Sequence, residues 1–171
     1  MRRVRYSVAM SLDGYIAGPQ GECDWIPSDP ELNFAEIFSQ FDTLLIGRRT
    51  FDTMVSAGQT SMPGMKMIVF SKTLRQADHP NIEIVTENHR ETVSTLKAQS
   101  GKDIWLFGGG SLFRSLAVEG LVDTVEIALV PVLLGEGVPL LPGPAHRIKL
   151  SLTAQKTYKT GMVFLEYVIT Q

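Results

Sequence analysis

The sequence predicts an α/β fold: a central, largely parallel sheet with helices on its faces and an antiparallel hairpin at its C-terminal end. Two observations predict the sheet. Short apolar runs alternate with amphipathic ones from Val4 to Phe107, and the runs "TLLIG" and "WLFGGG" each pass through glycine straight into helical periodicity. A third predicts the hairpin, because "IKLSLTAQKTY" and "GMVFLEYVI" are β-type runs on either side of a turn at Lys159 to Gly161.

In chain order, the first strand spans Val4 to Met10, where Val4, Tyr6, Val8 and Met10 alternate with smaller or polar residues. The segment "DGYIAGPQGECDWIPSD" has the Gly, Pro and Asp content of a long functional loop. A helix is expected next, with Asp29 as its cap, Pro30 in its first turn, and Phe34, Ile37, Phe38 and Phe41 as its buried stripe. "TLLIG" is a strand ending at Gly47 and "RRTFDTMV" a helix; "KMIVFS" and "IEIVT" are further strands. "NHRETVSTLKAQ" reads as a helix capped near Asn88 and stopped by Gly101, and "DIWLF" is the strand that feeds the triple glycine. "DTVEIALVPVLLG" reads as a long strand interrupted by Pro131.

Composition narrows the class. A chain of 171 residues, 44% hydrophobic and 20% charged, fits one globular domain spanning 1–171 with a substantial core. A net charge of −2 with scattered basic residues gives no pull towards nucleic acid. The lone Cys23 excludes an internal disulfide and a multi-cysteine zinc site, and suits a reducing cytoplasm. The N-terminus "MRRVRYSVAM" lacks a continuous apolar stretch, and no later run is long enough to span a membrane. His79, His89 and His146 lack ligand spacing, so no metal is expected.

Chemistry is expected at the strand ends. Gly108, Gly109 and Gly110 lie between a strand and a helix, where free N–H groups and the helix dipole attract anions; the competing reading is a tight turn. "GRRT" repeats the arrangement, with Gly47 permitting close approach, Thr50 offering a hydroxyl, and Arg48 or Arg49 offering a guanidinium. "VFSKT" adds Ser71 and Lys72 at the same rim. A ligand touching all three must be extended and carry separated phosphates, and the extra cations favour a 2′-phosphate; NADPH fits best. The G-x-G-x-x-G and G-K-[ST] patterns of other nucleotide folds are absent from "GGGSLF".

In order and spacing, "SLDGYIA", "LLIGRRTFD", "VFS", "WLFGGGSLF" and "VPVLLGEGVPLL" resemble the dihydrofolate reductase superfamily, specifically the branch containing the reductase domain of the bacterial riboflavin biosynthesis protein. The resemblance covers nearly the whole chain. It implies a dihydrofolate reductase-like three-layer α/β/α fold with NADPH across the strand ends. It also implies that Gly47, Arg48 and Thr50 bind phosphate, and that Ser71 and Lys72 meet the adenosine end. Gly108, Gly109, Gly110, Ser111 and Leu112 would hold the pyrophosphate and nicotinamide side, and Ile16 and Ala17 would border the nicotinamide.

Three carboxylates are candidates for catalysis. Asp13 either turns the chain into the active-site loop with Gly14 or acts on substrate. By the resemblance, the acid before "GR.T" falls on Glu31, three residues before Phe34, where it would bind an amino-pyrimidine edge on the border of the apolar stripe. The alternative makes Asp29 and Glu31 ordinary helix-start residues. Trp25 is either a flat wall for a heterocycle or core. The expected activity is direct hydride transfer from NADPH to a small heterocycle, with a proton from Glu31, Asp29 or water. A ribosylamino-pyrimidine leads as substrate and a pterin is the alternative. The zinc deaminase signature of bifunctional riboflavin enzymes is absent from the sequence. A non-catalytic dinucleotide-binding module and a purely structural subunit remain open, and the apolar C-terminal strands make a homodimer plausible.

Overall fold

The computed structural model describes residues 1–144 and 146–170. Its strands are β1 (Val4–Ser11), β2 (Tyr15–Ala17), β3 (Phe41–Gly47), β4 (Lys66–Phe70), β5 (Glu83–Val85), β6 (Asp103–Gly108), β7 (Thr124–Val130), β8 (Val138–Pro139), β9 (Lys149–Thr157) and β10 (Val163–Thr170). Its α-helices are α1 (Phe34–Ser39), α2 (Arg48–Ser56), α3 (His89–Ala98) and α4 (Gly110–Val118). Eight strands form one sheet in the order β5-β4-β3-β6-β1-β7-β10-β9, and β2 pairs with β8 separately. β5, β4, β3, β6, β1 and β7 run parallel; β10 and β9 close the sheet antiparallel. This is the mostly parallel sheet with a C-terminal hairpin that the apolar alternation predicts.

Buried strands with both faces covered read as continuous apolar runs, and alternate residues then supply two cores. Leu45, Ile68, Ile104 and Leu106 face α3 and α4, where Val93, Leu96, Phe113 and Leu116 meet them. Leu44, Ile46, Met67, Val69 and Trp105 face the other way, against Phe51 and Met54 of α2 and Ile37 and Phe38 of α1. Arg5, on β1, makes a bidentate pair with the buried Glu126 on β7 at 2.6 and 3.0 Å and lies over the Phe41 ring. A buried pair with its hydrogen bonds satisfied fixes the register of these two strands.

Three sequence expectations are corrected. The first helix does not start at Asp29; α1 starts at Phe34 with Asn33 as its cap, the Asn33 side chain accepting from Glu36 N at 3.1 Å. Asp29 is drawn elsewhere, to Thr160 and the Glu31 N–H. Phe41 opens β3, and Phe34 is 52% exposed, so the expected stripe is divided between a short helix and a strand. α3 has Asn88 at its N-cap position, as the sequence predicts, with φ +55° and no side-chain capping bond, and it ends at Ala98, ahead of Gly101. β7 ends before Pro131 and does not resume beyond it, since proline has no N–H for the ladder. Among the described residues no helix is long and apolar enough to cross a membrane.

Tyr6 is fully buried, stacked on Phe113 with ring centroids 4.0 Å apart, and its hydroxyl has no hydrogen-bond partner among the described residues. Burial pushes that hydroxyl's pKa up. Removing a lone buried hydroxyl while keeping the ring relieves a desolvation cost of roughly 1 kcal/mol. Urea unfolding of Tyr6→Phe should therefore give a stability equal to or about 1 kcal/mol above wild type. A clear loss would show that the hydroxyl is satisfied.

Candidate active site at the sheet rim

Parallel strands deliver their carboxyl ends to one rim, and strands lie about 4.8 Å apart, so successive loops offer an extended ligand a series of contacts. Across this rim the order is Ser71 to Thr73 after β4, Gly47 to Thr50 after β3, Gly108 to Gly110 after β6, and Ser11 to Gly14 after β1.

The glycines have different reasons to be there. Gly108 has φ +150°, a conformation that side chains rarely adopt. Gly110 has no room, because a Cβ there would lie 2.6 Å from the Pro139 carbonyl oxygen and 2.7 Å from that of Leu140. Gly109 has φ −93°, and a Cβ would meet only the Thr50 hydroxyl, at 3.4 Å. Internal packing therefore does not require Gly109 to be bare. The Gly108–Gly109 peptide is cis. Gly47 approaches the same peptide from β3: its Cβ would lie 3.6 Å from Gly108 O and Gly109 N.

Both α2 and α4 start here, at Gly47 and Gly109, with no side-chain cap and no acidic residue in the first turn. Among the described residues no side chain caps these first N–H groups, which is the electrostatic form of an anion site. α1 differs, since Asn33 caps it and Glu36 occupies its first turn.

Arg48 is already organised. Its Nε lies 2.8 and 2.7 Å from the two Asp52 carboxylate oxygens and its Nη1 donates to Thr73 Oγ1 at 2.9 Å, so the guanidinium bridges α2 and the loop after β4. Ser71 is buried and its hydroxyl accepts the N–H groups of Thr73 and Leu74, each at 3.2 Å. Thr73, not singled out from the sequence although it stands in "VFSKT", is the hydroxyl presented beside Arg48. Lys72 and Arg49 are exposed and make no ion pair among the described residues.

Ile16 and Ala17 lie half-buried on β2, which is held from below by β8. A Cβ on Gly137 would overlap the Ala17 carbonyl, and Leu140 N donates to Gly14 O at 3.0 Å. Ser111 is exposed and Leu112 half-buried in the first turn of α4. Trp25 is half-buried outside both core clusters, with its indole N–H on Glu22 O at 3.1 Å. Its loop is pressed close to α2, where a Cβ on Gly21 would lie 3.3 Å from Thr53 Oγ1.

The carboxylates are mostly engaged. Asp13 accepts from the Ser11 hydroxyl at 2.6 Å, Leu134 N at 3.2 Å and Gly135 N at 2.7 Å; the Ser11 hydroxyl above all, with these N–H groups, holds its carboxyl below the ordinary range. Asp29, 3% exposed, accepts from Glu31 N at 2.8 Å and the Thr160 hydroxyl at 2.8 Å, and the Glu31 N–H foremost lowers its pKa. Glu31 is not on a helix, contrary to its expected place beside an apolar stripe. It sits in the turn ahead of α1, its carboxylate 3.3 Å from Lys159 Nζ and 3.8 Å from Lys156 Nζ. These hairpin partners lie more than a hundred residues away, and no local pattern announces them. Among the described residues no group of three His, Cys, Asp or Glu side chains is placed to hold a metal ion.

The model of the RibD C-terminal domain family matches residues 2–164. The uncharacterized protein YyaP of Bacillus subtilis is 36% identical, with the match covering 97% of this chain and 94% of that one. A protein assigned to riboflavin biosynthesis in Shewanella sp. PV-4 superposes with a TM-score of 0.84 at 24% identity over the whole of both chains. Dihydrofolate reductase from Enterococcus faecalis, solved with NADP(H), superposes with a TM-score of 0.72 at 17% identity, covering 99% of this chain and 97% of that one. At these identities the two structures establish the fold.

Because the folded-state pKa of Asp29 lies below its ordinary 3.8, its ionised form favours folding; that contribution is complete above the ordinary carboxylate range and is lost as pH falls below it. Urea unfolding of wild type and Asp29→Asn between pH 7 and pH 2.5 should show a gap that is constant near neutrality and closes below about pH 4. A gap independent of pH would contradict the assigned hydrogen bonds.

Proposed function

This chain belongs to the RibD C-terminal domain family, and we propose that it is an NADPH-dependent reductase that passes hydride to a small heterocycle, of the 5-amino-6-(5-phosphoribosylamino)uracil reductase type. The observation that carries this reading is the pair of uncapped helix N-termini, α2 and α4, meeting at Gly109 and Thr50 on one rim. Family membership supports an oxidoreductase, and the NADP(H)-bound neighbour supports the choice of cofactor.

NADPH, when bound, supplies the hydride. The residues of the chain orient it and exclude water. Arg48, prearranged by Asp52 and Thr73, would receive the 2′-phosphate, with Lys72 and Arg49 adding charge and the Ser71 hydroxyl bracing the loop. The first-turn N–H groups of α2 and α4, with Thr50, Gly109 and Ser111, would hold the pyrophosphate. Ile16, Ala17 and Leu112 would form the apolar border of the nicotinamide, and Trp25 the wall on the substrate side.

Asp13 and Asp29 are held ionised and occupied as acceptors, which suits them to bracing rather than to donating a proton. Glu31 is occupied as well, facing Lys159 and Lys156, which leaves solvent as the proton source. The pairing of Glu31 with Lys159 and Lys156 also opposes its use on a cationic amino-pyrimidine edge, which favours the ribosylamino-pyrimidine over a pterin. The reading takes residues 1–171 as one domain. It allows a homodimer through β9, an edge strand whose nine residues are all exposed.

Calorimetric titration should give NADPH binding at least tenfold tighter than NADH, and Arg48→Ala should remove roughly tenfold, about 1.4 kcal/mol, from NADPH alone. Candidate pyrimidines and pterins are then screened by loss of the 340 nm absorbance. Cofactor binding with no turnover of any heterocycle would favour the non-catalytic module, and no binding of either nucleotide would remove the reductase reading.

A further inference from the structure

On the α1 and α2 face of the sheet, a row of register partners leads away from the rim towards the hairpin. Arg5 and Ala9 share this face of β1, since Arg5 is the partner of Trp105 and lies over the Phe41 ring. The pairings continue from Ala9 to Ala128 on β7, from Ala128 to Phe164 on β10, and from Phe164 to Lys156 on β9. Ala9, Ala128 and Phe164 are all half-buried. Inner strands of a mostly parallel sheet are covered on both faces, and on its other face β7 is, with Val125 and Ile127 only 2% and 4% exposed. On the open face α1 is six residues long and packs on β6, through Phe38 and Trp105. The segment before α1 borders the row from the other side, where Asp29 ties it to Thr160 at the hairpin tip. Two alanines side by side between these covers leave a strip of sheet open to a ligand.

The outer end of the strip is cationic. Lys156 Nζ stands 4.4 Å from the centre of the Tyr158 ring and 3.8 Å from Glu31 Oε2, beyond hydrogen-bond distance. Both neighbours favour the ammonium where it is, and neither fills its donors. Lys159 Nζ is closer to the same carboxylate, 3.3 Å from Oε1, so Lys159 alone neutralises Glu31 and the charge of Lys156 is left over. From Ala9 to Lys156 is three strand spacings, about 14 Å, which the lysine side chain shortens. A heterocycle with a sugar phosphate attached suits that span.

Resting on the reductase reading, we propose that Lys156 is a specificity-determining residue: the substrate lies along this strip, its reducible part over Ala9 and Ala128, and the Lys156 ammonium binds its phosphate. The order of the row sets the selectivity. Phe164 separates the two ends, so an anion placed midway would lie against an aromatic ring, and a neutral sugar would leave the ammonium without a counter-charge.

The full-length protein, saturated with NADP⁺ to fill the 2′-phosphate site, is titrated calorimetrically with ribose 5-phosphate at constant ionic strength. Ribose 5-phosphate should bind at least fivefold more tightly than ribose or inorganic phosphate. Lys156→Ala should weaken it at least tenfold and remove its advantage over ribose, and Lys156→Arg, which keeps the charge, should return it to within threefold of wild type. Ala128→Leu, which fills the floor of the strip without altering its charges, should also weaken it at least tenfold. Lys156 stands on the outer strand, so its variants carry the test even where Ala128→Leu does not fold. No binding of ribose 5-phosphate, equal affinity for ribose, or binding by folded variants that is indifferent to Lys156→Ala or to Ala128→Leu would each overturn the proposal. The reductase reading fails by a different result, the absence of NADP⁺ binding, and Lys156→Ala should bind NADP⁺ as wild type does. The same titrations without NADP⁺ keep the test of Lys156 independent of that result.

Discussion

The close approach of β3 and β6 at their carboxyl ends is the constraint on which the rest of the rim depends. Gly47 and the Gly108–Gly109 peptide lie at a distance where a Cβ on Gly47 would just touch, and Thr50 fills the remaining gap with a hydroxyl. Two helices therefore start side by side with their first turns open. The effect extends further. Because Gly110 has no side chain, the Pro139 and Leu140 carbonyls can pack onto it, which places β8 under β2. β2 in turn carries Ile16 and Ala17 to the opposite side of the same rim. One run of three glycines thus bares the surface and also positions the loop that faces it.

Electrostatics divides the rim into two halves. On the β4, β3 and β6 side, Arg48, Arg49 and Lys72 stand above uncapped helix ends, a distribution suited to separated phosphates. On the β1, β7 and β10 side, the carboxylates hold the loops. Asp13 ties the β1–β2 turn to residues 134 and 135, and Asp29 ties the segment before α1 to the hairpin tip at Thr160. Both acids work as acceptors with several donors each, which favours their ionised forms and makes the loop geometry sensitive to acid.

The parts legible in the sequence are those with local causes. Apolar runs ending in glycine before helical periodicity mark the strand-to-helix junctions, and these gave β3–α2 and β6–α4 almost to the residue. What escaped depends on partners distant in the chain. Asp29 looks like a helix cap until Thr160, 131 residues later, takes its carboxylate, whereupon the cap passes to Asn33 and the helix shortens. The place of Glu31 failed for the same reason, since its lysines arrive from the hairpin. Thr73 was visible in "VFSKT", but its contact with Arg48 arises only when β3 and β4 pair. Gly110 could not be separated from its neighbours by composition, because the backbone that excludes a side chain there comes from residues 139 and 140.

On the proposed reading, NADP(H) lies extended across β4, β3 and β6 on this rim, with its nicotinamide turned towards β2. A crystal structure of the protein grown with NADP⁺ tests it most directly. The expected complex has the 2′-phosphate between Arg48 and Thr73, the pyrophosphate over the first turns of α2 and α4 at Gly109, and the nicotinamide against Ala17. A dinucleotide bound elsewhere on the molecule, or no nucleotide at the first turns of α2 and α4 in crystals grown at saturating NADP⁺, would contradict it.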